Sequence, residues 1–166
     1  IPDLQQPILI VAPEGKEEET VLRLARVGYD HAIGYLQGGF NAWKAAGKDF
    51  DTIDTVDVPA LAGMVQSGEK LRILDVRKPG EWSAEHVDGA SHFPLDFIND
   101  HMSEINRDDT YYLHCRSGYR STIAASILKS RGFEKIVDVI GTFEDMIDAG
   151  IPTTDYVCPS TLKSEG

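Results

Sequence analysis

Tyr111-Tyr112-Leu113-His114-Cys115-Arg116-Ser117-Gly118-Tyr119-Arg120-Ser121 is the stretch that decides how this chain reads. Tyr111 to His114 is an apolar, strand-like run, and Ile123, Ile127 and Leu128 recur at the spacing of a helix that begins near Ser121 and packs on a sheet. Cys115 to Arg120 therefore fills a loop at the carboxyl end of a strand, where ligands bind in open α/β sheets. Backbone N–H groups of such a turn, and of the first helical residues, have no intrahelical partner and form an anion cradle. Arg116 and Arg120 add two positive charges. A free thiol, with a pKa of about 8.5, is mostly protonated at neutral pH, and a helix amino end with nearby Arg favours its thiolate. Cys115 is therefore expected to be a nucleophile. A plain core cysteine would have no reason to be followed by two Arg and a Gly.

Working outward, the same pattern occurs twice. Residues 8–47 and 112–150 each read as strand, loop, amphipathic helix, Gly-aromatic, strand and closing helix. Gly28-Tyr29 parallels Gly132-Phe133, Gly38-Gly39-Phe40 parallels Gly141-Thr142-Phe143, and Ala46-Gly47 parallels Ala149-Gly150, at an offset of 103 to 104 residues. Val21, Leu24 and Ala25 form the matching helical stripe, and Gly28 and Gly132 stop the two helices. In the first copy Val11 takes the cysteine position, and Ala12-Pro13-Glu14-Gly15-Lys16, followed by Glu17 to Glu19, puts acid where the second copy puts base. The first copy is expected to be catalytically silent, its glutamates a solvated helix start.

The second copy has an upstream half that the first lacks. A helix-like stretch Pro59 to Gln66, a buried-strand run Leu71 to Val76, a turn and helix around Glu81 to His86, a small strand Ser91 to Phe93 and a helix Leu95 to Ile105 precede it. Strands alternating with helices predict an α/β fold, a parallel sheet flanked by helices on both faces and preceded by a partial copy of itself. The expected plan is a half domain over 1–48, an acidic join over 49–54, a complete domain over 55–157 with its loop at 115–120, and a polar tail over 158–166. Because the first residue is Ile1 rather than Met, the natural amino end is expected to lie further upstream.

Composition narrows the classes. Of 166 residues, 42% are hydrophobic and 26% charged, which suits a folded core. Sixteen Lys and Arg against 27 Asp and Glu give a net charge of −11, unfavourable for nucleic acid or anionic membrane surfaces. No apolar run approaches the roughly 18 residues of a membrane span. Two cysteines, Cys115 and Cys158, make no disulfide framework and no zinc spacing, which fits a cytoplasmic setting.

The second domain resembles the rhodanese family of sulfurtransferases in three places. Ile73-Leu74-Asp75-Val76-Arg77, Glu81-Trp82 and His86-Val87-Asp88-Gly89-Ala90 look like its first signature, Cys115 to Arg120 like its active loop, and Gly141 with Ala149-Gly150-Ile151-Pro152 like its closing helix and exit. Asp88 stands where Pro is usual, Glu85 where Gly is common, and Thr142 and Met146 replace the usual Gly and Trp. Residues 1–48 resemble the carboxyl half of a degenerate second rhodanese domain. With Tyr156-Val157-Cys158-Pro159-Ser160, the tandem is similar to the tail of bacterial proteins that fuse a metallo-β-lactamase-fold hydrolase to rhodaneses, which implies an upstream hydrolase partner.

The resemblance implies that the Cys115 thiolate takes sulfur from a small donor anion or low-molecular-weight persulfide, such as thiosulfate or glutathione persulfide, and passes it to an acceptor thiol or cyanide. No metal or cofactor is implied. Loop N–H groups from Arg116 through Ser117, Gly118, Tyr119 and Arg120 to Ser121 would hold sulfur anions. Arg120 would brace the loop and attract the donor, and Arg116 would bind the donor's oxyanion at the rim. The rival reading is a cysteine phosphatase or arsenate reductase, whose loops are one residue longer than the four between Cys115 and Arg120. A non-enzymatic sulfur carrier or docking module is a second rival. Asp75, Arg77 and Glu81 could form an acid/base set, but a buried ion pair supporting the loop is the expected role. His114 is expected as a satisfied structural side chain, His86 and His92 as turn and surface residues, and Cys158 as a bystander rather than a resolving thiol.

Overall fold

The computed structural model describes residues 3–158. Ile1 and the tail from Pro159 onward, both singled out by the sequence, lie outside the described residues. The chain divides into two compact units between Thr52 and Ile53. No helix among the described residues is long and apolar enough to cross a membrane.

The first unit runs β1 (Ile8–Ile10), α1 (Glu17–Ala25), β2 (Ala32–Tyr35) and α2 (Gly39–Ala45), with β1 and β2 parallel. The second runs β3 (Asp54–Asp57), α3 (Val58–Gln66), β4 (Arg72–Asp75), α4 (Pro79–Ala84), β5 (Ser91–His92), α5 (Ile98–His101), β6 (Tyr111–His114), α6 (Tyr119–Ser130), β7 (Ile136–Ile140) and α7 (Phe143–Asp148). Its sheet among the described residues has the order β3-β7-β6-β4-β5, with every pairing parallel. Parallel strands need crossovers, and helices supply them on both faces.

Strand alternation sorts the core into two layers. Leu74, Leu113 and Ile136 face α6, where they meet Ala124, Ala125, Leu128 and Phe93. Ile73 and Val139 face α3 and α7, where they meet Val58, Leu61, Phe143 and Met146. The buried stripe of α6 is Ser121, Ala124, Ala125 and Leu128, so Ile123, expected against the sheet, faces solvent instead. Small alanines let the helix lie close to the strands.

Other boundaries differ from the sequence expectation. Asp54, assigned to the join, is the first residue of β3, whose four residues pair with Val137 to Ile140. The helix expected over Leu95 to Ile105 is instead two 3-10 turns around the single turn of α5. Asp96, Asn99, Asp100 and Ser103 are poor helix interiors because their side chains compete for backbone groups.

Helices α1 and α6 end alike. After α1, the Gly28 and Tyr29 N–H groups donate to the Ala25 and Leu24 carbonyls; after α6, the Gly132 and Phe133 N–H groups donate to Lys129 and Leu128. Gly28 and Gly132 have φ of 90° and 86°, the left-handed region that ends a helix this way.

Candidate active site

β6 ends at His114 between β4 and β7, and Gly118, at φ 87°, turns the chain into α6. Helix α6 starts at Tyr119 rather than Ser121, so Tyr119 and Arg120 lie in its first turn and the loop proper is Cys115 to Gly118. The thiol of Cys115 is buried, and the Gly118 N–H donates to its Sγ at 3.1 Å. Ser121 Oγ lies 3.7 Å from Sγ and donates to the Gly118 carbonyl, which also accepts from Thr122 Oγ1. These bonds fix the turn that carries the donor to sulfur.

Arg120 is partly buried and binds Glu81 on α4 through two bonds, at 2.5 and 2.9 Å. That pairing holds the Glu81 carboxyl below its usual range and raises the Arg120 guanidinium above its own, with the hydrogen bond as the main cause in each. Arg116 points into solvent and pairs with Glu144 on α7 at 2.9 Å, while its carbonyl accepts from the Phe143 N–H. Ser117 and Tyr119 are exposed at the loop surface.

Asp75 and Arg77 form a buried pair under the loop. Arg77 Nε donates to both Asp75 oxygens, at 3.0 and 2.9 Å, and Nη2 donates to Oδ2 at 2.6 Å and to the Glu85 carbonyl at 2.7 Å. The guanidinium also sits 3.8 Å from the Phe143 ring centroid. Glu81, grouped with this pair by sequence, is tied to Arg120 instead, so the set links β4, α4, α6 and α7 as two joints.

His114 is not satisfied as the sequence suggests. It is buried, neither ring nitrogen has a hydrogen-bond partner among the described residues, and Nε2 lies 3.7 Å from Asp75 Oδ2. Burial pushes its pKa below the usual 6.5, against the opposing pull of Asp75. Its ring stacks on Phe143, on the sheet face away from the α6 layer that holds Cys115. His86 and His92 stack on Trp82, at centroid distances of 3.6 and 4.9 Å.

The departures from the resembled pattern acquire reasons. The Asp88 N–H donates to the Pro152 carbonyl, a bond proline has no hydrogen to make. Glu85 Oε1 accepts from Thr153 Oγ1, and Met146 is buried against α3 and β7 neighbours. Thr142 caps α7 through Oγ1, and Asp145 caps back. Sequence reading missed Glu144, the partner of Arg116, because nothing local announces a pairing across 28 positions.

A central parallel strand followed by a buried cysteine, with a backbone donor on its sulfur and arginines in the same loop and helix start, defines a class before any comparison. The chain belongs to the Rhodanese-like domain family, whose model matches residues 57–149. It is 36% identical over 94 residues to YrkF of Bacillus subtilis, a protein named for sulfur carriage, covering 57% of this chain and 51% of that one. It is 27% identical over 100 residues to a protein named sulfurtransferase from Allochromatium vinosum, covering 60% of this chain and 94% of the other. The rhodanese-like domain of Alr3790 from Anabaena superposes with a TM-score of 0.59 at 22% identity, covering 69% of this chain and 87% of its own, which shows the fold. The chain thus spans about half the length of YrkF.

Proposed function

We propose that the second unit is a sulfurtransferase that carries sulfur on Cys115. The observation that carries this reading is the Gly118 N–H donating to the buried Sγ at the carboxyl end of β6. The thiolate attacks the outer sulfur of thiosulfate or of a persulfide, a new S–S bond forms at Sγ, and sulfite or a thiolate leaves with the electron pair of the broken bond. An acceptor thiol, or cyanide in an assay, then takes the outer sulfur and frees the Cys115 thiolate. Ser117, Gly118 and the α6 amino end are the donors for the resulting persulfide anion, and Arg116 is the rim charge for an anionic donor. Arg120 acts through Glu81 as the brace that fixes α6 against α4. The sulfurtransferase name of the Allochromatium relative supports the same reading.

Residues 1–48 are the carboxyl half of a degenerate, inactive copy in this proposal, a reading supported by the shared strand and helix order and the matched caps. An upstream metallo-β-lactamase-fold hydrolase is the partner domain such a tandem would serve, and the cytoplasm its setting. Incubation with thiosulfate should make the protein one sulfur atom heavier by intact mass, and Cys115→Ser should remove that gain while Cys158→Ser keeps it. Sulfur retained on the Cys115→Ser protein defeats the assignment.

A further inference from the structure

Asp138 is a carboxyl set into an apolar layer. Two residues on from Ile136 along β7, and in register with Leu113, it turns to the α6 face of the sheet, where Leu74, Leu113, Ala124 and Ala125 belong to the core. The residue is 2% exposed. Its Oδ2 accepts from Thr122 Oγ1 at 2.6 Å, yet its buried Oδ1 has no hydrogen-bond partner among the described residues. A buried oxygen without a partner lowers stability, and an apolar side chain of similar size would fill the place without that penalty. Stability alone therefore does not account for Asp138.

Its hydrogen bond leads to the active loop. Thr122 Oγ1 also lies 2.9 Å from the Gly118 carbonyl oxygen, so its single hydrogen is shared between two acceptors in a three-centre bond. The Thr122 backbone N–H donates to the same carbonyl at 3.2 Å, and Ser121 Oγ donates to it at 3.0 Å. On the other side of the same Cα, the Gly118 N–H donates to Cys115 Sγ at 3.1 Å. Gly118 has a φ of 87°, but glycine takes either sign of φ with little preference, so its own backbone does not hold this turn. The bonds to its carbonyl do. A line of contacts thus joins β7, Thr122, Gly118 and the sulfur.

Resting on the sulfurtransferase reading, we infer that Asp138 and Thr122 are positioning residues for the transfer, which together pin the Gly118 carbonyl to the sheet. The pin keeps the Gly118 N–H aimed at Sγ while Sγ attacks the outer sulfur of thiosulfate. As the Sγ–S bond forms, the donor's S–S bond breaks and sulfite leaves with its electron pair. An N–H donor fixed in advance where charge moves lowers the barrier, and one that must first be reoriented does not.

The test follows sulfur loading of the whole chain from thiosulfate by intact mass in a single turnover, beside amide hydrogen exchange at Gly118 and at Leu113 in mid-sheet. Thr122→Val should lower the maximal loading rate about ten-fold, the scale of one hydrogen bond to a charged group. The half-saturating thiosulfate concentration should not change, because the rim charge of Arg116 is untouched. The Gly118 amide should exchange faster by a similar factor while Leu113 stays as it was, and Thr122→Ser, which keeps the hydroxyl, should restore both. Asp138→Val combined with Thr122→Val should unfold no earlier in urea than the unaltered protein and still load slowly, a separation that mere support of the fold would not produce. A double variant that unfolds earlier, Gly118 and Leu113 amides that speed up together, or a Thr122→Val protein that loads at the unaltered rate would each overturn the inference. If the unaltered protein takes no sulfur from thiosulfate while the Gly118 amide still responds to Thr122→Val, the transfer reading falls and the pin on the loop stands.

Discussion

The segments β1–α1–β2–α2 and β6–α6–β7–α7 end their helices with the same glycine caps, yet Leu9 is 73% exposed where its register counterpart Leu113 is 0%, and Val11 is 60% exposed where Cys115 is 2%. The difference does not lie in the local motif. Leu113 shares its core cluster with Leu74, Val76, Phe93 and Ile98, from β4, the residue after it and the segment after β5, for which the first unit has no equivalent among its described elements. The same flank supplies Asp75 and Arg77, and α4 supplies Glu81. In the second unit, then, the β4 flank and α4 bury the thiol and anchor the loop, which the first unit's described elements do not do. The loops differ as well: residues 11–16 separate β1 from α1, while 115–118 separate β6 from α6, and only the shorter one turns on a glycine that aims its N–H at the strand end.

The largest effect tests whether the chemistry is transferable between the two loops. Cys115→Ser should abolish sulfur loading by mass, and adding Val11→Cys to that protein should not restore it. An exposed thiol ahead of Glu17, Glu18 and Glu19 lacks both burial and a positive field. Loading at position 11 would show that the cradle matters less than the presence of a thiol.

Next in size is the buried ion pair, which has no counterpart among the first unit's described residues. Arg77→Met leaves the Asp75 carboxylate buried without its partner, and the second unit should lose about 3–5 kcal/mol in urea unfolding followed by a probe in that unit. A loss below about 1 kcal/mol, the scale of an exposed pair, would show that the flank is not what anchors the loop.

How much of this was legible in the sequence follows from which residues speak locally. The loop could be read because Cys115, the two arginines and Gly118 are each unusual beside a strand, and Asp75 and Arg77 because charges at the end of Ile73-Leu74 demand a buried partner. Strand β3 could not be read. Asp54-Thr55-Val56-Asp57 is a short edge strand with aspartate at both ends, and it exists because β7 pairs with it some eighty positions away. Ile123 was placed on the wrong face because alanines, which carry little hydrophobic signal, form the true contact stripe of α6. The contacts of residues 152–157 arise only when the chain returns to α4, and no local pattern announces that return.

His114 offers a smaller and reversible test, since Ile10 occupies its register position in the first unit. Burial lowers the folded-state pKa of His114 beneath the unfolded 6.5, with Asp75 and Arg77 from the β4 side opposing and reinforcing that shift, and Phe143 packed over the ring. Above pH 6.5 both states are neutral there and the residue adds no slope. As pH falls below 6.5 the unfolded chain binds a proton that the folded one refuses, so stability drops until the lower folded pKa is reached. His114→Ile should flatten the second unit's stability in that window and change it by less than about 1.5 kcal/mol at pH 7.5. A wild-type profile already flat below pH 6.5 would show that the buried ring carries no such penalty.

The smallest effect concerns the start of the closing helix. Helix α7 opens on Thr142, whose Oγ1 accepts from the Asp145 N–H at 3.0 Å while Asp145 Oδ2 accepts from the Thr142 N–H at 2.8 Å. Helix α2 opens on Gly38 with no side-chain cap. Both helix starts crowd a neighbour: a Cβ on Gly39 would meet the Ala12 carbonyl oxygen at 2.3 Å, and one on Gly141 would meet Val58 Cγ2 at 2.6 Å. Glycine must therefore remain at both places, and the cap is the freely adjustable part. Thr142→Ala should cost about 1 kcal/mol and Thr142→Gly, which imports the residue type that caps α2, only a few tenths. The hydrogen bonds from Thr142 hold the Asp145 carboxyl below its usual range, so this part of the cap is present above pH 3.8 and is lost as acid protonates Asp145. Equal losses for Ala and Gly would mean that the hydroxyl is not what begins α7, and that the two closing helices start by the same backbone device.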